Sequence, residues 1–217
     1  MENSDICEII VVRHGETVAN KTGILQGQYD TPLNETGIMQ AHAIANRLKK
    51  RKFDAVYTSD LNRAFDTARI IAEFHPGLQV IPTKSLREWN LGELQGRPYS
   101  ELIVEYPEIM NAFKKSGEVP PIPGGENIDD FQKRIGSFMN EIAAANPGKK
   151  ILFVSHGGAM QRMLIHTVGK PAIENICPLC GNAGMSLFRY RNGQWQLISW
   201  NDTAHLEDIS MHETLTF

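Results

Sequence analysis

Two short runs, Ile9-Ile10-Val11-Val12 and Ile151-Leu152-Phe153-Val154, constrain the fold more than any other feature of the chain. Each is apolar at every position rather than at alternate ones, so both faces of the strand it forms must be covered. A sheet that is apolar on both sides needs helices above and below it. The shorter runs Ala55-Val56-Tyr57 and Leu78-Gln79-Val80-Ile81 are candidates for further strands.

The sequence between these runs has helical spacing. Ile38, Ala41, Ala45 and Leu48 share a face behind Asn34 as N-cap, and Leu61, Ala64, Ala68 and Ile71 do likewise with Ser59 available as cap. The stripe Ile128, Phe131, Ile135, Phe138 and Ile142 ends at Pro147-Gly148, and a further helix is expected over residues 157–168. Residues 185–190 and 195–200 flank Asn192-Gly193, which signals a hairpin. Strands alternating with helices indicate a layered α/β domain to which this hairpin adds antiparallel pairing. Residues 96–126 hold Pro98, Pro107, Pro120, Pro121 and Pro123 and read as a helical excursion with a stiff return loop. Residues 1–217 are therefore expected to form one domain with a cap insertion at about 96–126.

Composition narrows the function. Lys and Arg number 22 against 25 Asp and Glu, a formal charge of −3 that argues against a nucleic-acid partner. A sum of charges says nothing against a small local cluster of cations. No apolar run approaches the ~18 residues of a membrane span, and the polar, acidic start of the chain does not read as a signal peptide. A soluble, cytoplasmic protein without a membrane partner is expected.

Both buried runs end in a polar motif rich in glycine. The first leads into Arg13-His14-Gly15-Glu16-Thr17 and the second into Ser155-His156-Gly157-Gly158. Ligands of open α/β sheets bind beyond the carboxyl ends of the strands. A third junction, Thr58-Ser59-Asp60-Leu61-Asn62-Arg63, puts Arg63 in a first helical turn, where the macrodipole disfavours a cation unless an anion is bound. One such histidine or arginine alone is ordinarily structural or solvated. Four of them at three equivalent sheet positions point to a compact anion site. Two arginines can fork phosphate oxygens, and an imidazole among cations stays neutral and nucleophilic. A proton donor for the leaving oxygen is still needed. Glu88, in Leu86-Arg87-Glu88-Trp89, has apolar neighbours that suit the protonated form, but spacing alone favours it no more than Glu93 or Glu101.

At these residues the chain resembles the histidine phosphatase superfamily, also called the phosphoglycerate mutase-like family, over nearly its whole length. The resemblance rests on Arg13-His14-Gly15-Glu16-Thr17 with Asn20, the Gln26-Gly27 loop leading to Asp30-Thr31-Pro32-Leu33, and Ser59-Asp60-Leu61 with Arg63-Ala64 and Thr67-Ala68. Leu86-Arg87-Glu88, Gly92 with Leu94-Gln95-Gly96, Gly124-Gly125-Glu126 and Ser155-His156-Gly157-Gly158 complete it. It implies a three-layer α/β fold with a mixed, mainly parallel central sheet, helices on both faces and a small helical cap that carries specificity. It further implies that His14 is phosphorylated and that Glu88 acts as general acid and then as base. Arg13, Arg63 and His156 would bind the phosphoryl oxygens, with Asn20, Gln26 and the Gly27 backbone lining the same pocket. The family hydrolyses without metal or organic cofactor. The partner implied is a small-molecule phosphomonoester, and a homodimer is compatible.

Within that resemblance the broad-specificity phosphatase branch is favoured over a cofactor-dependent phosphoglycerate mutase. Mutases carry a longer insertion with paired arginines for a second anionic group, whereas residues 97–119 are short and offer Lys114 and Lys115. Gly124-Gly125-Glu126 and Asn201-Asp202-Thr203-Ala204-His205-Leu206 resemble the phosphatase branch. A non-catalytic phosphate-binding module would keep the arginines but need neither His14 nor Glu88. Other motifs are decoys. Cys7 and Arg13 have Cys-x5-Arg spacing, yet an apolar strand separates them where a phosphate loop is required. Cys177-Pro178-Leu179-Cys180 lacks the second ligand pair of a structural zinc site and is expected to hold two buried thiols. His42, His75, His166, His205 and His212 have no ligand-like spacing and are expected to be surface or structural residues.

Overall fold

In the computed structural model, which describes residues 5–114, 119–173, 176 and 178–209, the chain opens with β1 (Cys7–Arg13), α1 (Val18–Thr22) and β2 (Ile24–Leu25). Next come α2 (Glu35–Leu48), β3 (Ala55–Ser59), α3 (Asn62–Ala72) and β4 (Val80–Thr83). The segment after β4 contains β5 (Arg97–Pro98), α4 (Tyr99–Glu105) and α5 (Pro107–Lys114). The chain continues with α6 (Ile128–Ala145), β6 (Lys150–Ser155), α7 (Gly157–Val168), β7 (Met185–Arg191) and β8 (Gln194–Asp202).

The main sheet has the order β4-β3-β6-β1-β7-β8. β4, β3, β6 and β1 pair in parallel, and the β7–β8 hairpin joins β1 antiparallel. The apolar runs occupy its centre, and their alternation explains why every position is apolar. Ile9, Val11, Ile151 and Phe153 pack with Phe131, Ile135 and Met139 of α6 and Met160 and Met163 of α7. Ile10, Val12, Leu152 and Val154 pack on the other face with Ile44 and Leu48 of α2 and Ala64, Ala68 and Ile71 of α3. Each fully buried aliphatic side chain here contributes about 1.5–3 kcal/mol relative to exposure. The result is the three-layer α/β fold. A third apolar cluster of Leu25, Leu91, Leu94, Leu102, Ile109, Met110 and Ile122 lies under α4 and α5. The β2–β5 ribbon, unrecognised in the sequence, ties this cap to the loop after α1.

Three local expectations need correction. The fourth strand begins at Val80 rather than Leu78, because the Leu78 amide closes a turn onto the His75 carbonyl at 3.1 Å. β4 is the sheet edge, which is why Pro82 is tolerated within it. In α2 Ile38 is 43% exposed, since the buried face runs through Gly37, Ala41, Ile44 and Leu48 instead. Asn34 caps α2 as expected, but Ser59 does not cap α3. Its Oγ accepts the Leu61 amide, and the first helical amide, at Asn62, donates to the Asp30 carboxylate at 3.0 Å from each oxygen. Of the two lysines noted in the insertion, Lys115 lies outside the described residues. Among the described residues, no helix is long and apolar enough to cross a membrane.

Candidate active site

Parallel pairing of β1 with β6 sets Arg13 opposite Ser155, so the residues that follow, His14 and His156, leave the sheet side by side. Their ring centroids are 5.1 Å apart and both rings are buried. The loop after His14 is pressed onto the start of α2: a Cβ on Gly15 would lie 2.3 Å from the Gly37 carbonyl oxygen. This turn brings the Gly15 carbonyl to 2.7 Å from His14 Nδ1. A carbonyl only accepts, so Nδ1 carries the proton and the lone pair is on Nε2. Burial, and then the charges of Arg63 and Arg13, hold the His14 pKa well below the ordinary histidine value, opposed by the Gly15 hydrogen bond. His156 is shifted the same way, again mainly by burial, with Arg63, His14, Arg13 and Arg134 adding to it.

The two arginines are almost wholly enclosed, Arg63 at 1% and Arg13 at 4% exposure. Arg63 projects from the first turn of α3 and donates from Nη1 to the Tyr29 carbonyl at 3.1 Å and from Nη2 to the Gly27 carbonyl at 2.7 Å. Asp30 stands 3.8 Å away. Burial lowers the Arg63 pKa to about 10 while Glu88 and Asp30 pull it upward. Arg13 Nη1 donates to the Cys180 carbonyl. Among the described residues, Nε of Arg13, Nε of Arg63 and both ring nitrogens of His156 are buried without a hydrogen-bond partner. Buried polar groups are rarely left unpaired, so the free Nε donors of two enclosed arginines that line one cavity suit an acceptor-rich anion.

Glu88 reaches the site from the irregular segment after β4. Its carboxylate accepts the Trp89 amide at 2.9 Å and the Gly158 amide at 2.9 Å, the latter in the first turn of α7. Glu93 and Glu101 are exposed and do not line the cavity, so packing separates three candidates that spacing did not. Asn20 closes the N-terminus of α1 in a capping box with Thr17. Gln26 Oε1 accepts the hydroxyls of Thr17 at 3.1 Å and Thr31 at 2.7 Å, leaving its NH2 group to act as donor.

Arg13, His14, Asn20, Gln26, Gly27, Arg63 and Glu88 all line one cavity of about 280 Å³. His156 is the exception among the expected site residues: it is enclosed behind His14, while Gly157 and Gly158 beside it line the cavity. Ala19, Lys21, Leu25, Leu91, Trp89 and Tyr99 also line this cavity. None of these carried a signal in the sequence, because they lie in loops or in elements too short to show a period. The same is true of Asn182, whose Nδ2 donates to the His14 carbonyl at 3.0 Å.

Among the described residues, none of the decoys lines the cavity. Cys7 is buried in β1, and burial, with the charges of Asp54 and Glu8, raises its thiol pKa to about 11. Cys180 is buried and raised to about 12, while Cys177 lies outside the described residues. His42 is exposed, and His166 and His205 bond to Asn140 and to Arg47 with the Ala183 carbonyl respectively. His75 packs edge-on against Phe53, and His212 lies outside the described residues. Among the described residues, no three His, Cys, Asp or Glu side chains converge to hold a metal.

The sequence profile of the histidine phosphatase superfamily (branch 1) matches residues 9–203. A phosphoglycerate mutase-like protein 4 of Arabidopsis thaliana is 37% identical, covering 95% of this chain and 90% of its own. A metal-independent phosphoserine phosphatase of the same plant is 36% identical, covering 95% and 86%. Among solved structures, a phosphoserine phosphatase from Entamoeba histolytica in complex with 3-phosphoglyceric acid superposes with a TM-score of 0.80. That protein is 29% identical over 92% of this chain and 99% of its own.

Proposed function

The chain belongs to the histidine phosphatase superfamily, and from that premise we propose that it hydrolyses small phosphomonoesters through a phosphohistidine formed on His14. The observation that carries this reading is the committed tautomer of a buried, neutral His14 beside two enclosed arginines. In the first step the Nε2 lone pair attacks phosphorus as the ester P–O bond breaks, and the leaving oxygen takes a proton from Glu88. Nδ1 keeps its proton, hydrogen-bonded to the Gly15 carbonyl, so the phosphorylated ring is a cation and leaves as a neutral imidazole. In the second step Glu88 removes a proton from water, whose oxygen attacks phosphorus as the N–P bond breaks. Arg13, Arg63, His156 and the amide groups of Asn20 and Gln26 hold the phosphoryl oxygens as charge develops on them. We read residues 1–217 as a single cytoplasmic domain capped by residues 96–126, of the broad-specificity branch.

Besides Arg13 and Arg63, Lys21 is the one Lys or Arg that lines the cavity among the described residues. With Ala19, Leu25, Leu91, Trp89 and Tyr99 also in the lining, the cavity suits an alcohol portion that is partly apolar and bears at most one further negative charge. A phosphoserine-like or phosphoglycerate-like ester meets this description, in keeping with the names of the relatives. A mutase must also seat a second dianionic group, and the mutase names among the relatives are the argument for that alternative.

Incubation with p-nitrophenyl phosphate tests the chemistry. His14→Ala is expected to reduce release to background, and Glu88→Gln to slow turnover by about 10²–10⁴. An alkaline quench of the unaltered enzyme should yield one phosphorylated histidine. Full turnover by His14→Ala would sink the covalent mechanism. Offering 3-phosphoglycerate with and without 2,3-bisphosphoglycerate separates hydrolysis from isomerisation.

A further inference from the structure

The segment that carries Glu88 has no regular secondary structure beyond the single 3-10 turn at Lys84–Leu86, yet every carbonyl from Lys84 to Glu88 has a partner. The Ser155 hydroxyl, one residue before His156, donates to the Leu86 carbonyl at 2.8 Å. The carbonyls on either side of it converge on one side chain, Arg134 of α6. Its Nη1 donates to Lys84 at 3.3 Å, Ser85 at 3.1 Å and Arg87 at 3.0 Å, and its Nη2 donates to Glu88 at 3.3 Å.

Glu126 fixes the guanidinium that does this. It accepts Arg134 Nε and Nη2 in a fork, both at 2.8 Å, the bidentate geometry that locks a guanidinium plane. Glu126 also holds the other side of Glu88. Its carbonyl accepts the Trp89 indole N–H at 2.7 Å and its amide donates to the Asn90 carbonyl at 2.9 Å. The Arg134 guanidinium is further seated over the Phe131 ring, 4.9 Å from its centroid. Neither Arg134 nor Glu126 lines the cavity, and neither touches the Glu88 carboxylate.

We propose that Arg134, locked by Glu126, is the positioning residue that aims Glu88 at the leaving oxygen, acting through the backbone of residues 84–90. A loop with five carbonyls bound cannot rotate Glu88 out of line without breaking several hydrogen bonds at once. Lysine at 134 has no planar fork and cannot reproduce the pattern. The proposal rests on Glu88 being the general acid, and its test separates the two claims.

The test compares kcat/KM for p-nitrophenyl and p-methylphenyl phosphate, two esters of similar size. The nitrophenolate leaves without a proton, whereas the methylphenolate needs one. kcat/KM extends only through transfer to His14, so hydrolysis of the phosphoenzyme does not mask the effect. Any unfolded fraction scales both substrates alike and leaves their ratio unchanged. Arg134→Gln is expected to lower the methylphenyl value about 10–100-fold more than the nitrophenyl value, with Arg134→Lys recovering little. Glu126→Gln, which keeps the contacts of Arg134 to the carbonyls, should move the ratio the same way by less. If Glu88→Gln depresses the ratio and the Arg134 and Glu126 variants leave it at the unaltered value, the positioning role is overturned. If Glu88→Gln leaves the ratio unchanged as well, the general-acid reading itself fails.

Discussion

Neutrality of the two buried histidines is the residue-scale property on which the proposed chemistry depends, and it has a cost in stability at acid pH. Both folded pKa values are depressed, with burial as the main cause. Below about pH 6.5 the unfolded chain therefore binds protons that the folded chain refuses, and stability falls as pH drops toward the folded values. Each histidine contributes a slope of up to about 1.4 kcal/mol per pH unit in that window. The melting temperature is thus expected to fall from pH 7 to pH 5, and His156→Gln to flatten the fall. An unchanged slope in that variant would remove the argument. His14, Arg13, Arg63 and His156 were legible in the sequence because each stands within a few residues of a strand end that apolar patterning locates. Glu88 was not separable from Glu93 or Glu101, because the segment bearing them has no period to say which side faces the sheet.

At the scale of elements, the first turn of α7 and the segment after β4 are fitted to each other at Gly158. Its amide donates to Glu88, and a Cβ there would lie 2.4 Å from Glu88 Oε1. Gly158→Ala should displace the carboxylate and lower kcat/KM for p-methylphenyl phosphate at least about tenfold. Alanine favours a helix over glycine by about 1 kcal/mol, so the melting temperature should hold or rise. Loss of activity without loss of stability marks a positioning defect; retained activity would show that the carboxylate moves without consequence. The strands and long helices were readable here, since burial on one or both faces imposes a period. The capping of α3 by Asp30 was not, because its partner lies 32 residues away in a loop.

For the whole molecule, folding leaves the buried Nε donors of Arg13 and Arg63, two residues that line the cavity, without a partner among the described residues. An anion that meets them binds the folded chain alone and stabilises it by mass action. Inorganic phosphate or orthovanadate at about 100 times its dissociation constant should add about 2.7 kcal/mol, or roughly 5–10 °C in melting temperature for a chain of this size. Arg63→Ala should abolish most of that rise; an equal rise in the variant would place the anion elsewhere. The net charge of −3 does not conflict with this, since the cations are few and enclosed. Two runs of apolar residues sufficed to determine a sheet covered on both faces and the strand ends from which the site would be built. Each position there reports its own exposure, and exposure is a local property that a sequence records. Packing alone decided that Glu88 is the carboxylate at the site, that Arg134 and Glu126 grip its backbone, and that Lys21 lines the cavity. Those contacts join segments far apart in the chain, and which of them meet depends on how rigid elements stack, which no local pattern encodes.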